Sequence, residues 1–206
     1  MFMVSPIRFP LRGSRLGLAA LFQVAFIGAS LTCGVAPAQE KPFKISGSGV
    51  GPTGLPLPTQ PPRLHWVIGE ATHLGRHYGE GTVQTDSAFP QPNGTIIGEF
   101  GSGSPFVFRG ANGDKLVCWY GRKNHGASQP GTFELTILGV TPLGTPIVTA
   151  RWIAEFVAQP SDSTGKFAGV TGSWVMYARS APFVLGSNDP VSYSWEGEGR
   201  LTFPKK

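Results

Sequence analysis

Closely spaced glycines are the feature of this sequence that most restricts its fold. Three of them lie within residues 165–174, and a similar pattern of closely spaced glycines recurs at residues 75–83 and 196–201. Glycine at this density disfavours a helix and suits a chain that turns tightly and then enters a strand. The spacing between the copies is irregular, so they do not mark a repeat architecture. We interpret these segments as bend points of one closed β-sheet.

The first 38 residues have the pattern of a signal peptide. Three arginines within residues 8–15 precede an uncharged apolar run at residues 16–31, and Ala-Pro-Ala at residues 36–38 supplies a cleavage pattern. We therefore predict a signal peptide at residues 1–38, a mature chain that begins at Gln39, and export to the periplasm or the extracellular space. The apolar run is shorter than the about 20 residues that a spanning helix needs, so no membrane span is predicted.

Removal of this segment changes the charge of the chain. Residues 1–38 hold three of the 17 basic residues and none of the 12 acidic ones, so the formal net charge falls from +5 to +2. The remaining sequence has no cluster of Lys and Arg, and nucleic acid is therefore not a predicted partner. Its 168 residues are enough for one domain with its own core.

Proline and glycine dominate the next segment, residues 39–62. We predict little regular structure there, with one short strand at residues 43–45 and an extended loop from Gly51 to Pro62. The folded domain is predicted over residues 63–206.

From residue 64 onwards the pattern is typical of strands. Residues 131–138 alternate apolar and polar side chains, as a half-buried strand does. Residues 147–157 alternate in the same way and place one set of side chains on a single face: Val148, Ala150, Trp152, Ala154 and Phe156. Asn112 and Gly113 predict a type I′ turn that joins strands 106–110 and 115–120 in a hairpin.

Eight or more short antiparallel strands must bury their faces and protect their edges, which a sandwich or a barrel achieves. The glycine bend points favour the barrel, because a small closed sheet coils sharply. The predicted fold class is therefore all-β, as a single antiparallel β-barrel of about eight strands.

Three motifs together resemble a known family. They are Ala-Thr-His-Leu-Gly-Arg at residues 71–76, Ala-Asn-Gly-Asp-Lys-Leu at residues 111–116, and Gly-Lys-Phe-Ala-Gly-Val-Thr-Gly at residues 165–172. The chain resembles secreted bacterial proteins related to the allene oxide cyclase and dirigent type of β-barrel, over about residues 43–203. The resemblance implies an eight-stranded barrel with an apolar cavity, often trimeric in the plant relatives, which steer the cyclisation or coupling of reactive apolar intermediates. It carries over no catalytic residue.

Four residues are candidate ligand contacts. Trp152 and Phe156 lie on the apolar face predicted to point inward, and His73 and Arg76 belong to the first motif. Alternatively, His73 hydrogen-bonds a turn or lies at the barrel rim. A second alternative concerns Arg151 and Glu155, which would be acid–base groups if their face lined a cavity; the uniformly apolar opposite face favours their lying outside.

No metal or cofactor is predicted. His73 and His77 would lie roughly 13 Å apart on a strand, too far to share one ion. The sequence has no nucleophile elbow, no zinc-binding pattern and no phosphate loop. Cys118 lies in an apolar run and is predicted to be a buried structural thiol.

Two functions from different classes remain. The first is an exported binding module for an apolar small molecule or for copies of itself. The second is a cyclase or isomerase that acts on an apolar substrate inside the barrel. A sealed, fully packed interior would favour a purely structural module over both.

Overall fold

The structure is a computed structural model that describes residues 38–205, so the predicted signal peptide lies outside the described residues except for Ala38. Within residues 38–205 the chain forms eleven strands and two short 3-10 helices, at Lys123–His125 and Gly165–Phe167. The strands are β1 (Gln39–Pro52), β2 (Arg63–Ala71), β3 (Gly75–Pro90), β4 (Thr95–Ser102), β5 (Phe106–Gly110), β6 (Lys115–Tyr120), β7 (Gly131–Val140), β8 (Pro146–Ala158), β9 (Thr171–Ser180), β10 (Phe183–Val184) and β11 (Pro190–Phe203).

All of the strands belong to one antiparallel sheet whose pairings close on themselves. The order runs β2, β1, β11, β9 and β8, and the pairing of β2 with β3 completes the circle. Two pairs of shorter strands connect β8 to β3, one above the other along the ring axis. One pair is β6 and β5, and the other is β7 and β4. Within the described residues the sheet is thus a ring of eight strands, which confirms the prediction of an all-β antiparallel fold.

The two long strands β3 and β8 make this arrangement possible. The first half of β3 pairs with β5, as Tyr78 does with Arg109, and its second half pairs with β4, as Phe89 does with Ile97. Each half of β8 likewise takes a different partner, β7 first and β6 second. The two long strands thus span both levels of the ring, and their shorter neighbours pair with them at one level each.

The first strand is longer than the sequence suggested. The predicted short strand at residues 43–45 is part of a 14-residue strand that pairs with β11 along its whole length. The alternation of apolar and polar side chains is hidden in the sequence because several inward positions of β1 are glycine. Glycine is needed at Gly47, because a Cβ there would collide with the backbone oxygen of Ile68 on β2. The predicted loop is confirmed for residues 53–62, which form neither strand nor helix.

The inside of the ring is filled by apolar side chains, many of them aromatic. On β8, Val148, Ala150, Ala154 and Phe156 are buried while Arg151 and Ile153 are exposed, so the predicted faces of this strand are confirmed. The ring of Phe156 stacks on that of Trp174, with centroids 4.2 Å apart, and on that of Tyr120 at 4.5 Å. Such offset and stacked pairs add to the large apolar area that each ring buries.

The three sequence motifs meet at one end of the ring, which we call the closed end and define by residues 72–74, 111–114 and 159–170. Asp114 accepts a hydrogen bond from the backbone N of Lys166 at 3.0 Å, and Lys166 Nζ donates to the backbone oxygen of His73 at 2.9 Å. Phe167, on the second 3-10 helix, is fully buried beneath these contacts. The motifs therefore close one end of the ring.

The predicted hairpin is confirmed, but its turn is not type I′. Strands β5 and β6 pair as expected, and Gly110 N donates to Asp114 O at 2.9 Å. Gly113 has a φ of +86°, whereas Asn112 is not among the residues with positive φ. A three-residue loop with one left-handed residue at its end fits this geometry. The Asn112 side chain accepts a hydrogen bond from Asp114 N at 3.1 Å and stabilises this alternative.

Replacement of Gly113 by Val tests the turn. Among the described residues, a Cβ at this position meets nothing within 4 Å, so the cost comes from the positive φ alone. We expect Gly113→Val to lower the free energy of unfolding by about 1 kcal/mol or more. The matched control is Gly139→Val on β7, an equally open position without positive φ. Equal urea midpoints for the two variants would show that the turn does not require a left-handed residue.

Candidate functional site

The interior holds two adjoining cavities, both towards the end of the ring opposite the closed end. We call this end the loop end and define it by residues 53–62 and 181–189. The first cavity has a volume of about 60 Å³ and an aromatic wall that includes Phe100, Phe106, Phe108, Tyr120, Phe156 and Trp195. The second, about 50 Å³, lies nearer the loops and is lined by Thr53, Arg63 and Thr85 together with apolar side chains.

Four residues line both cavities: His65, Val83, Phe100 and Trp152. Trp152 comes from the inward face of β8 but is only half-buried, unlike its neighbours on that face. Its ring meets the ring of Tyr193 edge-on, with centroids 5.8 Å apart. Trp152 is therefore a wall between two small spaces rather than a plug in a filled core.

His65 and Tyr193 form a polar pair in the wall of the first cavity. They come from β2 and β11, the two strands that flank β1, and His65 Nδ1 lies 3.3 Å from the Tyr193 hydroxyl. Glycines on β1 leave room for the two rings: a Cβ on Gly49 would collide with the Tyr193 ring, and one on Gly51 would lie 2.6 Å from His65 Cγ. The glycine content of β1 thus serves the site as well as the sheet.

Burial keeps this pair uncharged at neutral pH. Desolvation, with a smaller contribution from the Arg63 charge, lowers the pKa of His65 from 6.5 to about 4. Desolvation raises the pKa of Tyr193, and it raises that of Tyr120 as well. The first cavity therefore offers neutral hydrogen-bonding groups in an otherwise apolar wall.

Arg63 is the charged residue of the second cavity. Its Nη1 donates to the backbone oxygen of Leu55 at 3.0 Å, which ties the loop at residues 53–62 to the start of β2. Its Nη2 makes a long contact of 3.5 Å with Thr85 Oγ1. Among the described residues, its Nε is buried and has no hydrogen-bond partner.

The structure separates the four candidate ligand contacts into two pairs. Trp152 and Phe156 line the first cavity, as their inward positions on β8 suggested. His73 and Arg76 lie at the closed end instead. His73 occupies the turn after β2 with a φ of +68°, its ring against Phe203, and the Arg76 side chain is 88% exposed beside Glu70. Neither His73 nor Arg76 lines either of the two cavities.

The remaining chemical candidates lie away from the cavities. Arg151 is exposed on the outer face, and the Glu155 carboxylate accepts hydrogen bonds of 2.6 Å from both the backbone N and the hydroxyl of Ser128. Cys118 is fully buried, as predicted, and burial raises the pKa of its thiol to about 12, which keeps it protonated. No group of three or more His, Cys, Asp or Glu side chains within residues 38–205 is arranged to hold a metal ion.

The polar residues of the cavities were not evident in the sequence. On β2 the residues Leu64, Trp66 and Ile68 form the more hydrophobic face, yet they are exposed. Arg63 and His65 share the inward face with Val67. The alternation on this strand points the wrong way, and only the glycines opposite His65 on β1 hint that a bulky polar ring lies inside.

Comparison with protein-family models and with curated proteins gives no match. Because no relative suggests a function, the chemistry of the cavities is the basis for a proposal.

The described residues form only two short 3-10 helices, and neither is a candidate for a membrane-spanning helix.

The lowered pKa of His65 predicts a pH dependence of stability. Between pH 6.5 and about pH 4 the unfolded chain binds a proton at His65 that the folded chain does not, so stability falls as the pH falls through this window. We expect up to about 2 kcal/mol to be lost through His65 between pH 7 and pH 5. Urea unfolding of the wild type and of His65→Gln at both pH values measures the difference.

The substitution keeps a hydrogen-bonding side chain opposite Tyr193 but removes the titration. His77, whose pKa burial also lowers, contributes with the same sign in both proteins and cancels. Equal losses of stability in the wild type and in His65→Gln would contradict the prediction.

Proposed function

We propose that this protein is an exported eight-stranded β-barrel of the allene oxide cyclase type, and that it binds a small apolar molecule in the two adjoining cavities. One observation carries the proposal: the packing of the ring stops short at the loop end and leaves space lined by aromatic side chains and a neutral His65–Tyr193 pair. Concave, mostly apolar sites with a few placed polar groups are the usual form of small-molecule sites.

The volume of the cavities limits the ligand. About 60 Å³ and 50 Å³ are far below the roughly 300 Å³ of a drug-sized site. An apolar cavity of about 150 Å³ is enough for a benzene-sized guest. The two spaces together are smaller than that, so a single-ring or short-chain molecule is the upper limit of size and fits only when the Trp152 side chain moves to join and widen them.

The chemistry of the polar pair favours binding over catalysis. A general base works best with a pKa near the operating pH, whereas burial lowers the pKa of His65 to about 4. Tyr193, with its raised pKa, is a poor proton donor at neutral pH. An isomerase that depends on proton transfer would need different groups, so the cyclase or isomerase reading is the weaker one.

Self-association is the second candidate function. The outer face of β2 and β3 exposes Trp66, Ile68 and Tyr78, and Ile68 lies directly opposite Tyr78 in the pairing of the two strands. Large apolar side chains grouped on a surface are typical of protein contacts. This function does not compete with ligand binding, because the face lies outside the ring.

Binding is tested with toluene as a neutral probe. Met176 lines the first cavity and is the only methionine within residues 38–205, so its labelled methyl group reports on the cavity by NMR, assigned by loss of the signal in Met176→Leu. We expect toluene to shift this signal, Trp152→Ala to tighten binding by joining the two spaces, and Ala178→Leu to abolish binding by filling the first cavity.

Stability separates a cavity wall from a plug in the same variants. Trp174, nearly fully buried against Phe156, is the matched control, and Trp174→Ala is expected to cost about 3–5 kcal/mol. Trp152→Ala should cost less, because Trp152 already borders empty space. If Trp152→Ala costs as much and toluene shifts no signal in any variant, the interior is packed and the binding proposal fails.

Export has its own test. We propose that the chain is secreted after removal of residues 1–38, on the strength of the three arginines, the apolar run and the Ala-Pro-Ala pattern. N-terminal sequencing of the protein recovered outside the cytoplasm is expected to begin at Gln39. Recovery with Met1 intact, or with a lipid attached at Cys33, would contradict the proposal.

A further inference from the structure

Arg63 is an unusual residue to find in the wall of an interior cavity. It is the first residue of β2, is half-buried, and lines the second cavity beneath the loop at residues 53–62. A Cβ on Gly54 would lie 2.6 Å from its Nη1, so the loop packs closely over the guanidinium. Buried charges are ordinarily paired with an opposite charge, because removal from water is costly.

No such partner is present in the described part of the chain. The four ion pairs among residues 38–205 involve Arg76, Arg122, Lys166 and Arg200, and none involves Arg63. The titratable residues that line the second cavity are Arg63 and His65, and neither is acidic. Since His65 is neutral at pH 7, the second cavity carries one uncompensated positive charge.

A second donor lies in the same wall. Thr53 Oγ1 is buried, lines the second cavity and, like Arg63 Nε, has no hydrogen-bond partner among the described residues. A buried donor without an acceptor lowers stability, because no hydrogen bond offsets its removal from water. An acceptor-only group in the second cavity would supply the acceptor that these donors lack, and a carboxylate is such a group.

The neighbouring first cavity supplies the apolar half of the site. The two cavities share His65, Val83, Phe100 and Trp152, so a ligand can place its head in one and its body in the other. The lining of the two cavities thus changes from polar, at Arg63 and Thr53 near the loops, to apolar, at the aromatic wall further inside.

We propose that the natural ligand is a small monocarboxylic acid, with its carboxylate on Arg63 and Thr53 and its apolar body against Trp152 and the aromatic wall. This inference rests on the proposed function, because it names the class of molecule that the same cavities bind. A long-chain acid does not fit the volumes of about 60 Å³ and 50 Å³. The guanidinium stays charged at neutral pH and pairs with a carboxylate in a bidentate manner.

Three probes of similar size test the inference: benzoate, its neutral analogue benzamide, and toluene, each titrated against the Met176 methyl signal at pH 7. We expect benzoate to bind at least about tenfold more tightly than benzamide in the wild type. In Arg63→Gln the preference for benzoate should disappear while toluene binding is retained. Arg76→Gln, which removes a well-exposed arginine at the closed end, is the matched control and should leave all three affinities unchanged.

The outcomes separate this inference from the function on which it rests. Toluene binding without a preference for benzoate, or a preference that survives in Arg63→Gln, overturns the carboxylate proposal and leaves the apolar binding site standing. Failure of all three probes in the wild type overturns the binding function itself. Retained toluene binding in Arg63→Gln shows that this variant is folded, so a lost preference then supports the inference.

Discussion

The pairing of β1 with β11 is the contact on which the rest of this structure depends. These are the first and last strands of the described chain, and they pair over fourteen residues, from Gln39 with Phe203 to Pro52 with Pro190. With β2 on the other side of β1, this pairing turns a long antiparallel sheet into a ring. A closed ring leaves no continuous edge for another chain to pair with, and it creates an inside that must be filled.

The two ends of the ring are filled differently, and the site is a result of that difference. At the closed end, Phe167 on a short 3-10 helix and Leu201 on β11 are fully buried, and the contacts of Asp114 and Lys166 fix the segments above them. At the loop end, residues 53–62 carry four prolines and leave Leu55 and Leu57 exposed. A segment so rich in proline cannot add a strand or donate many backbone hydrogen bonds, so it covers the interior without filling it.

Glycine has two distinct uses in this fold. At Gly113 it permits a backbone conformation that other residues avoid, and the hairpin between β5 and β6 depends on it. At Gly49 and Gly51 the backbone is ordinary, and the missing side chain is what matters, because the rings of Tyr193 and His65 occupy that space. The two uses look the same in the sequence. They differ only in whether the constraint is the torsion angle or the neighbouring ring.

The sequence by itself determined the class of fold, the inward face of β8 and the position of the hairpin, because alternation and turn chemistry are local properties that a few adjacent residues settle. It predicted β1 poorly, since glycines hide the alternation of that strand. On β2 the more hydrophobic face is outside, so hydrophobicity alone does not identify the inward residues. Trp152 and Phe156 could be chosen as candidates from their strand alone.

The rest of the site was decided only by tertiary structure. His65 and Tyr193 are 128 residues apart in the sequence and meet across β1. Arg63 lines the same cavity as Trp152 because closure of the ring places β2 and β8 around one interior. Such neighbours are set by non-local strand pairing, which no short stretch of sequence specifies.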